Sequence, residues 1–211
     1  MIGGVRREVE DTPAKHEALQ EMLRDGPAAF ERLVDLALSS STVLDRLETT
    51  GVLSHNDAER LGIVGIAGRA SGINRDFRKD HPHCAYPHLD FATALHEEGD
   101  VFARMKVRVD EVKESFRIIG QLLLQHKHES ILAPLDSIVP NGYALGYVEG
   151  WRGEIVHWVM TDGNGRIYRW KITDPSFHNW RGVQLAVLNN IVPDFPVINK
   201  SFNLSYSGND R

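Results

Sequence analysis

Apolar residues recur at helical spacing through residues 100–125. Val101, Met105, Val109, Val112, Phe116, Ile119 and Leu123 follow one another at steps of four and three. That period defines one apolar helix face. Arg104, Arg108, Glu111 and Glu114 fall largely off the stripe and read as a solvated face, while Asp100 stands where an N-cap belongs. Upstream, the pattern is of shorter helices with clear punctuation. Thr12-Pro13 opens one of them and Gly26 closes it. Phe30, Leu33, Val34, Ala37 and Leu38 outline a second, which ends in the serine run 39–41. Thr42 with Asp45, and Ser54 with Asp57, fit the Ser/Thr-x-x-Asp/Glu capping signature. After Pro134 the composition turns to β signals. Tyr143–Val148, Glu154–Thr161 and Arg166–Thr173 read as strands, the last two joined by Asp162-Gly163-Asn164-Gly165. A helical stretch around Gln184–Asn190 follows, after which Pro193 and Pro196 break the chain. The expectation is a mostly α, α+β fold, with a helical bundle core and a small antiparallel β-sheet. Residues 1–130 form its helical part and residues 131–211 its α+β part, within one domain.

Composition narrows the class. With 211 residues, 42% of them hydrophobic and 25% charged, the chain is long and apolar enough to bury a core. A single cysteine, Cys84, excludes an intrachain disulfide framework and any site needing several thiolates from this chain. No run approaches the ~20 apolar residues of a membrane span, and the N-terminus lacks a signal-peptide pattern. The net charge of −5, with no basic block, argues against nucleic acid as a partner. A cytoplasmic, reducing-compartment protein is expected.

Candidate chemistry is sparse. Glycines at 62, 65, 68 and 72 invite a phosphate-cradle reading, but neither a dinucleotide fingerprint nor a P-loop is present. Close packing or unusual backbone angles account for them better. His81, His83, Cys84 and His88 crowd one loop, yet their spacing matches no usual zinc pattern, and a metal site is not expected there. Three clusters remain: Arg69-Ala70-Ser71-Gly72 with Asp76, Arg78 and Lys79; Glu149-Gly150-Trp151-Arg152-Gly153-Glu154 between two strands; and the tail from Asn203 to Arg211.

At those clusters the sequence resembles the nickel–iron hydrogenase large-subunit superfamily. The resemblance is nearest to formate hydrogenlyase and energy-converting hydrogenase large subunits and to the D-type subunit of respiratory complex I. Gly3-Gly4-Val5, Gly65, Arg69-Ala70-Ser71-Gly72, Asp76, Arg78 and Lys79 carry it, followed by Pro82, Tyr86, Phe91 and Gly99-Asp100. Arg104, Arg108, Glu111, Ser115 and Ile118-Ile119 continue it. Glu149 with Arg152-Gly153-Glu154, then Asp174-Pro175-Ser176-Phe177 and the terminal Asp210-Arg211, complete it in order over essentially the whole chain. The fold implied is hydrogenase large-subunit-like.

The resemblance also implies what has changed. The family's nickel–iron centre takes four cysteine thiolates, two of them from a C-terminal Asp-Pro-Cys-x-x-Cys motif. Here Ser205 and Gly208 stand at those two positions. A hydroxyl is a poor substitute for a soft thiolate, and glycine offers no ligand, so no metal is expected on this chain. The family's Gly-Gly-Val segment lies well inside the subunit, so the chain reads as the C-terminal portion of a longer one. The implied role is an oxidoreductase subunit, NADH:quinone oxidoreductase-like or hydrogenase-like, active within a complex. It would bind no cofactor itself but shape a cavity for a quinone acceptor, beside an iron–sulfur cluster held by a partner small subunit. Coupling to ion-pumping membrane subunits would place it peripherally on the inner face of the cell membrane. By carry-over, Glu149 and Arg152 are the candidate catalytic residues, Glu149 as a proton relay and Arg152 pointing at the cavity. Arg69, Asp76, Arg78 and Ser205 are candidate acceptor contacts. The competing readings are that Glu149 and Arg152 form a structural pair at the strand junction, and that Asp76, Arg78, Asp100 and Arg104 form structural or inter-subunit salt bridges. At the level of the whole chain, the alternatives are a true nickel–iron hydrogenase large subunit and a non-catalytic docking or scaffold subunit.

Overall fold

Pro13 starts the first helix where the sequence places it, but that helix does not stop at Gly26. The structure, a computed structural model, describes residues 12–125 and 137–210. In it α1 runs unbroken from Pro13 to Leu38, through Gly26 and Pro27. The reason is tertiary. Gly26 faces α6 (Val101–Gln125), and a Cβ there would lie 3.0 Å from the Phe116 ring. Helix-on-helix packing holds the backbone across a proline that removes one internal hydrogen bond. Next, α2 (Ser41–Leu47) starts one residue before Thr42 with Ser40 as N-cap, so the Thr42–Asp45 signature does not cap it. Ser54 does cap α3 (His55–Leu61), accepting from the Asp57 amide at 3.2 Å and donating to its carboxylate at 2.7 Å.

Two short helices, α4 (Gly65–Arg69) and α5 (Phe77–Asp80), lead into α6. Of the predicted stripe only Val101 is among its innermost positions, the others being Ala103, Arg104, Val107 and Ile118, and Ile119 is 39% exposed. α6 packs against α1, α4 and α8 (Phe195–Phe202), so it is covered over a wider arc than one apolar stripe. Its deepest arc carries small residues and Arg104, which the solvated-face reading put outside. Arg104 is fully buried because its hydrogen bonds are met. It donates to the Gly99 carbonyl at 2.7 Å, the Gly51 carbonyl at 2.8 Å and the Ser201 hydroxyl at 2.8 Å, over the face of Phe202. Asp100 is not its salt-bridge partner. That carboxylate takes the Ala103 amide at 2.7 Å, as an N-cap does, and the Thr49 amide at 2.8 Å.

The strands fall where alternation predicts them. β1 (Tyr143–Gly150), β2 (Gly153–Thr161) and β3 (Ile167–Thr173) form an antiparallel sheet in the order β1-β2-β3. Glu149 pairs with Glu154 and Gly150 with Gly153, leaving Trp151-Arg152 as the first turn. The Asp162 carboxylate closes the second, accepting the amides of Asn164 and Arg166 at 2.8 and 2.9 Å. The helix expected at 184–190 lies earlier, as α7 (Pro175–Ala186), because Asp174 caps it and Pro175 presets its first turn. Likewise Pro196 sits in the first turn of α8 instead of breaking the chain. The last element is α9 (Tyr206–Asn209).

One buried cluster joins residues from both sides of the α to α+β boundary, among them Leu53, Ile63 and Val101 with Val183, Ile198 and Phe202. The boundary at 130/131, Gly3-Gly4-Val5 and Arg211 lie outside the described residues. No helix among the described residues is long and apolar enough to cross a membrane.

Candidate functional site

All the predicted site residues but Ser205 gather around the β1–β2 turn, which is packed against α4. Gly65 has φ +63°, and a Cβ on it would overlap the Arg152 carbonyl and lie 2.6 Å from the Gly153 Cα. Only glycine lets α4 and the turn touch. A cradle for phosphate is not what these glycines build: Gly65 and Gly68 bring backbone against backbone, Gly72 lies against the His55 ring, and Gly62 ends α3 in a left-handed turn. α4 ends at Arg69, whose side chain is 2% exposed. Its guanidinium reaches Glu149 at 3.0 Å, the Arg75 carbonyl at 3.2 Å and, closer still, the Glu111 carboxylate of α6. Its Nε is buried without an acceptor. Glu149 also accepts from the Phe77 amide at 3.3 Å. Asp76 caps α5 and pairs with Arg78 at 2.6 Å, with Arg78 lying 5.1 Å from the Phe91 ring centroid.

Burial decides the protonation tendencies here. Loss of water pushes the Glu149 carboxyl above its ordinary value, against the pull of Arg69. Burial works the same way on Asp76, but the hydrogen bonds and charge of Arg78, with Arg69 behind, prevail and hold it below its ordinary value. Arg69 and Arg78 therefore face three carboxylates: Asp76, Glu111 and Glu149. Arg69, Arg78, Glu111 and Glu149 border a small cavity of about 180 Å³ with Tyr86 and Trp151.

Ser205 lies elsewhere. Successive strand residues point to opposite faces, so Val148 and Glu149 turn away from each other. On the Val148 side, Ile155, His157, Trp170 and Ile172 form the floor of a cavity of about 780 Å³, with Trp170 Nε1 donating to His157 Nδ1 at 3.1 Å. Asp174, Ser205 and Ser207 form its polar end. The structure thus brings Arg69, Asp76, Arg78 and Glu149 together and sets Ser205 apart on the other face of the sheet. Arg152, in the turn after Glu149, reaches the Ser205 side: its Nε donates to the Asn203 carbonyl, two residues before Ser205. Glu149 and Arg152 are not a pair, since each is committed to a different partner.

The nickel–iron centre implied by the resemblance does not fit these residues. Ser205 caps α9, accepting the Gly208 amide at 3.1 Å, and contacts the Ser207 hydroxyl at 3.2 Å. At Gly208 a Cβ would lie 2.7 Å from the Asp174 carboxyl carbon, so the room a ligand side chain would need is filled by Asp174. Among the described residues no group of three or more His, Cys, Asp or Glu is placed to hold a metal. In the histidine loop, His81 packs 4.5 Å from Phe77, His83 lies 5.7 Å from Tyr147, and Cys84 is exposed. Sequence reasoning passed over Glu111, Asp174, His157 and Trp170 as site residues. Only Asp174 had a local signal, its Asp-Pro cap, and the others are assembled by strand and helix pairing.

A helical body around a three-stranded sheet, with this turn wedged against α4, defines a hydrogenase large-subunit-like chain. Comparison with known proteins is specific: over residues 1–138 and 134–211 the sequence matches the family described as the 49 kDa subunit of respiratory-chain NADH dehydrogenase, and the chain belongs to that family. Formate hydrogenlyase subunit 5 of Escherichia coli is 34% identical over 148 residues, 70% of this chain and 26% of that protein. NADH-quinone oxidoreductase subunit 4 of Thermus thermophilus is 33% identical over 178 residues, 72% of this chain and 44% of that one. A chain in the membrane-bound sulfane sulfur reductase, an archaeal respiratory membrane complex, superposes with a TM-score of 0.84 at 30% identity, over 99% of this chain and 58% of its own. The chain therefore spans from about a quarter to under two thirds of these relatives. They point to a subunit of a complex I-like or hydrogenase-related respiratory complex.

Proposed function

We propose that this chain forms the acceptor cavity of such a complex, receiving a quinone-type molecule without nickel, beside an iron–sulfur cluster held by a small partner subunit. The observation that carries the reading is the 780 Å³ cavity: aromatic and aliphatic along its floor, polar at the end where the family's thiolates would stand, and closed to a ligand at 208 by Asp174. An aromatic floor suits a planar ring, and hydroxyls at one end suit its oxygen atoms. The buried cluster on the opposite face supplies the proton side. With three carboxylates to two guanidiniums, Glu149 is the group that burial inclines to hold a proton, and it sits one residue from the cavity-floor Val148. Arg152, three residues after Glu149, reaches the Ser205 segment through the Asn203 carbonyl. A subunit in this position would be peripheral on the inner face of the cell membrane and would pass the redox event to ion-translocating membrane subunits.

Gly146 provides the test. It belongs to the cavity floor, and a Cβ on it meets nothing within 4 Å. Gly146→Val therefore fills the cavity without a clash, and strand stability should hold or rise by about 0.5–1 kcal/mol. Acceptor-dependent electron transfer by the intact complex should fall tenfold or more while the complex stays assembled. Undiminished turnover would refute the cavity's role and favour a docking role for the chain.

A further inference from the structure

We infer that Asp174, in the room that Gly208 leaves, is the residue that sets which redox form of the acceptor the large cavity prefers. The inference rests on the acceptor-cavity reading above and names the chemistry of its polar end. Asp174 is held on two sides. Its Oδ1 accepts the Ser176 amide at 2.8 Å, which fixes the side chain as the cap of the twelve-residue α7. Its carboxyl carbon and both oxygens lie 2.7–3.0 Å from where a Cβ at 208 would be, so the carboxylate is seated on bare glycine backbone. From there it borders the cavity next to Ser205 and Ser207. A carboxylate only accepts hydrogen bonds, and one Asp174 oxygen is already engaged. The Ser205 hydroxyl accepts from the Gly208 amide and lies 3.2 Å from that of Ser207.

The Ser205–Ser207 contact uses one hydroxyl proton and leaves the other free for the oxygen of either redox form, so the discriminating group is the Asp174 carboxylate, which asks its ligand for a donor. A hydroquinone offers O–H groups to Asp174, whereas the oxidised quinone presents carbonyl oxygen to carboxylate oxygen. The site favours the reduced, hydroxyl-bearing head group, and a site that binds one redox form more tightly shifts the bound pair towards it. A side chain at 208 would push Asp174 out and remove that preference. Glycine at 208 and aspartate at 174 are thus one device, in which the functional group that position 208 cannot carry arrives from position 174.

The measurement is equilibrium binding of a short-chain dimethoxy-methyl hydroquinone, kept anaerobic, and of the matching quinone to the intact complex. The wild-type protein should prefer the hydroquinone by roughly tenfold or more, the range of one hydrogen bond to a charged group. Asp174→Asn replaces one acceptor oxygen by a donor and should abolish or invert that ratio, which a purely structural role would not do. Asp174→Ser keeps a capping oxygen, guards against loss of fold and should also abolish the ratio. Gly208→Ala should lower the ratio as far as Asp174→Ser does, with no further change in the double variant. Two ligands that bind with an unaltered ratio in all variants overturn the assignment to Asp174 alone. Additive losses in the double variant overturn the link to Gly208. Binding of neither form, with Gly146→Val also without effect on turnover, overturns the acceptor cavity itself.

Discussion

Gly65→Ala separates the two ways in which a glycine can be required, because Gly62 serves as its internal control. Both residues have φ +63°, a backbone angle at which alanine is strained by about 1–2 kcal/mol. At Gly62, the C-cap of α3, an added Cβ meets nothing within 4 Å, and the strain is the whole effect. At Gly65 the Cβ would overlap the Arg152 carbonyl and come within 2.6 Å of the Gly153 Cα, far inside the ~3.5 Å at which non-bonded carbons rest. The obstruction is backbone, which cannot swing aside as a side chain can. Overpacking of this kind adds about 1–3 kcal/mol, so Gly65→Ala should destabilise by about 2–5 kcal/mol in all. The Arg152 turn can yield only by retreating, and its carbonyl also accepts from Asn179 at 3.4 Å while its side chain holds Asn203. The displacement should therefore reach the Ser205 end of the cavity, and turnover should fall with stability. Urea unfolding of the purified chain measures the first effect and acceptor-dependent electron transfer in the complex the second. Equal destabilisation by the two alanines would refute the backbone contact between α4 and the β1–β2 turn.

Two further outcomes follow from the buried charges. Arg104→Met keeps the length of the side chain but takes from the Gly51 carbonyl its Arg104 donor, while the Gly99 carbonyl keeps the Leu53 amide at 2.8 Å; at about 1–3 kcal/mol for one unsatisfied buried group the unfolding free energy should drop by that amount, and a loss well under about 1 kcal/mol in urea unfolding would return Arg104 to the solvated face. Glu149 is raised above its ordinary value by burial, so the native chain retains a proton that the unfolded chain releases above about pH 4.5, and stability declines as pH rises from there through the folded-state value. Asp76, held low by Arg78, acts with the opposite sign and withdraws its contribution as pH falls below about 3.8. Unfolding curves across pH 4–8 should show the decline in the wild type and a flatter profile in Glu149→Gln; identical profiles would remove Glu149 as the proton-holding group.

Much of the fold was legible because short-range physics specifies it. Alternation and the Asp-Gly-Asn-Gly turn located β2 and β3, and Ser54, Asp100 and Thr12-Pro13 marked helix starts. Local signals misled where packing overrides them. Gly26-Pro27 reads as a stop, yet α1 passes through it against Phe116, and Pro193 and Pro196 read as breaks where Pro196 begins a helix. The stripe on α6 was real as periodicity, but only the arrangement of α1, α4 and α8 around it determines which arc is deepest. Of the candidate site, motif resemblance picked out Arg69, Asp76, Arg78, Glu149, Arg152 and Ser205. It had no means of showing that Arg69, Arg78 and Glu149 border one cavity and Ser205 another on the opposite face of the sheet, since that follows from the β1 pleat and the strand register.

Composition points the same way throughout. With one cysteine, and with serine and glycine at 205 and 208 where the resemblance implies the family's C-terminal thiolates, the sequence by itself was enough to expect no nickel site of that kind from this chain's tail. Ligand chemistry belongs to side chains, and their identities are written in the sequence. What occupies the vacated room was decided only by tertiary structure. Residues 174 and 208 lie far apart along the chain, and it is the seating of α9 against the start of α7 that lays the Asp174 carboxylate over Gly208.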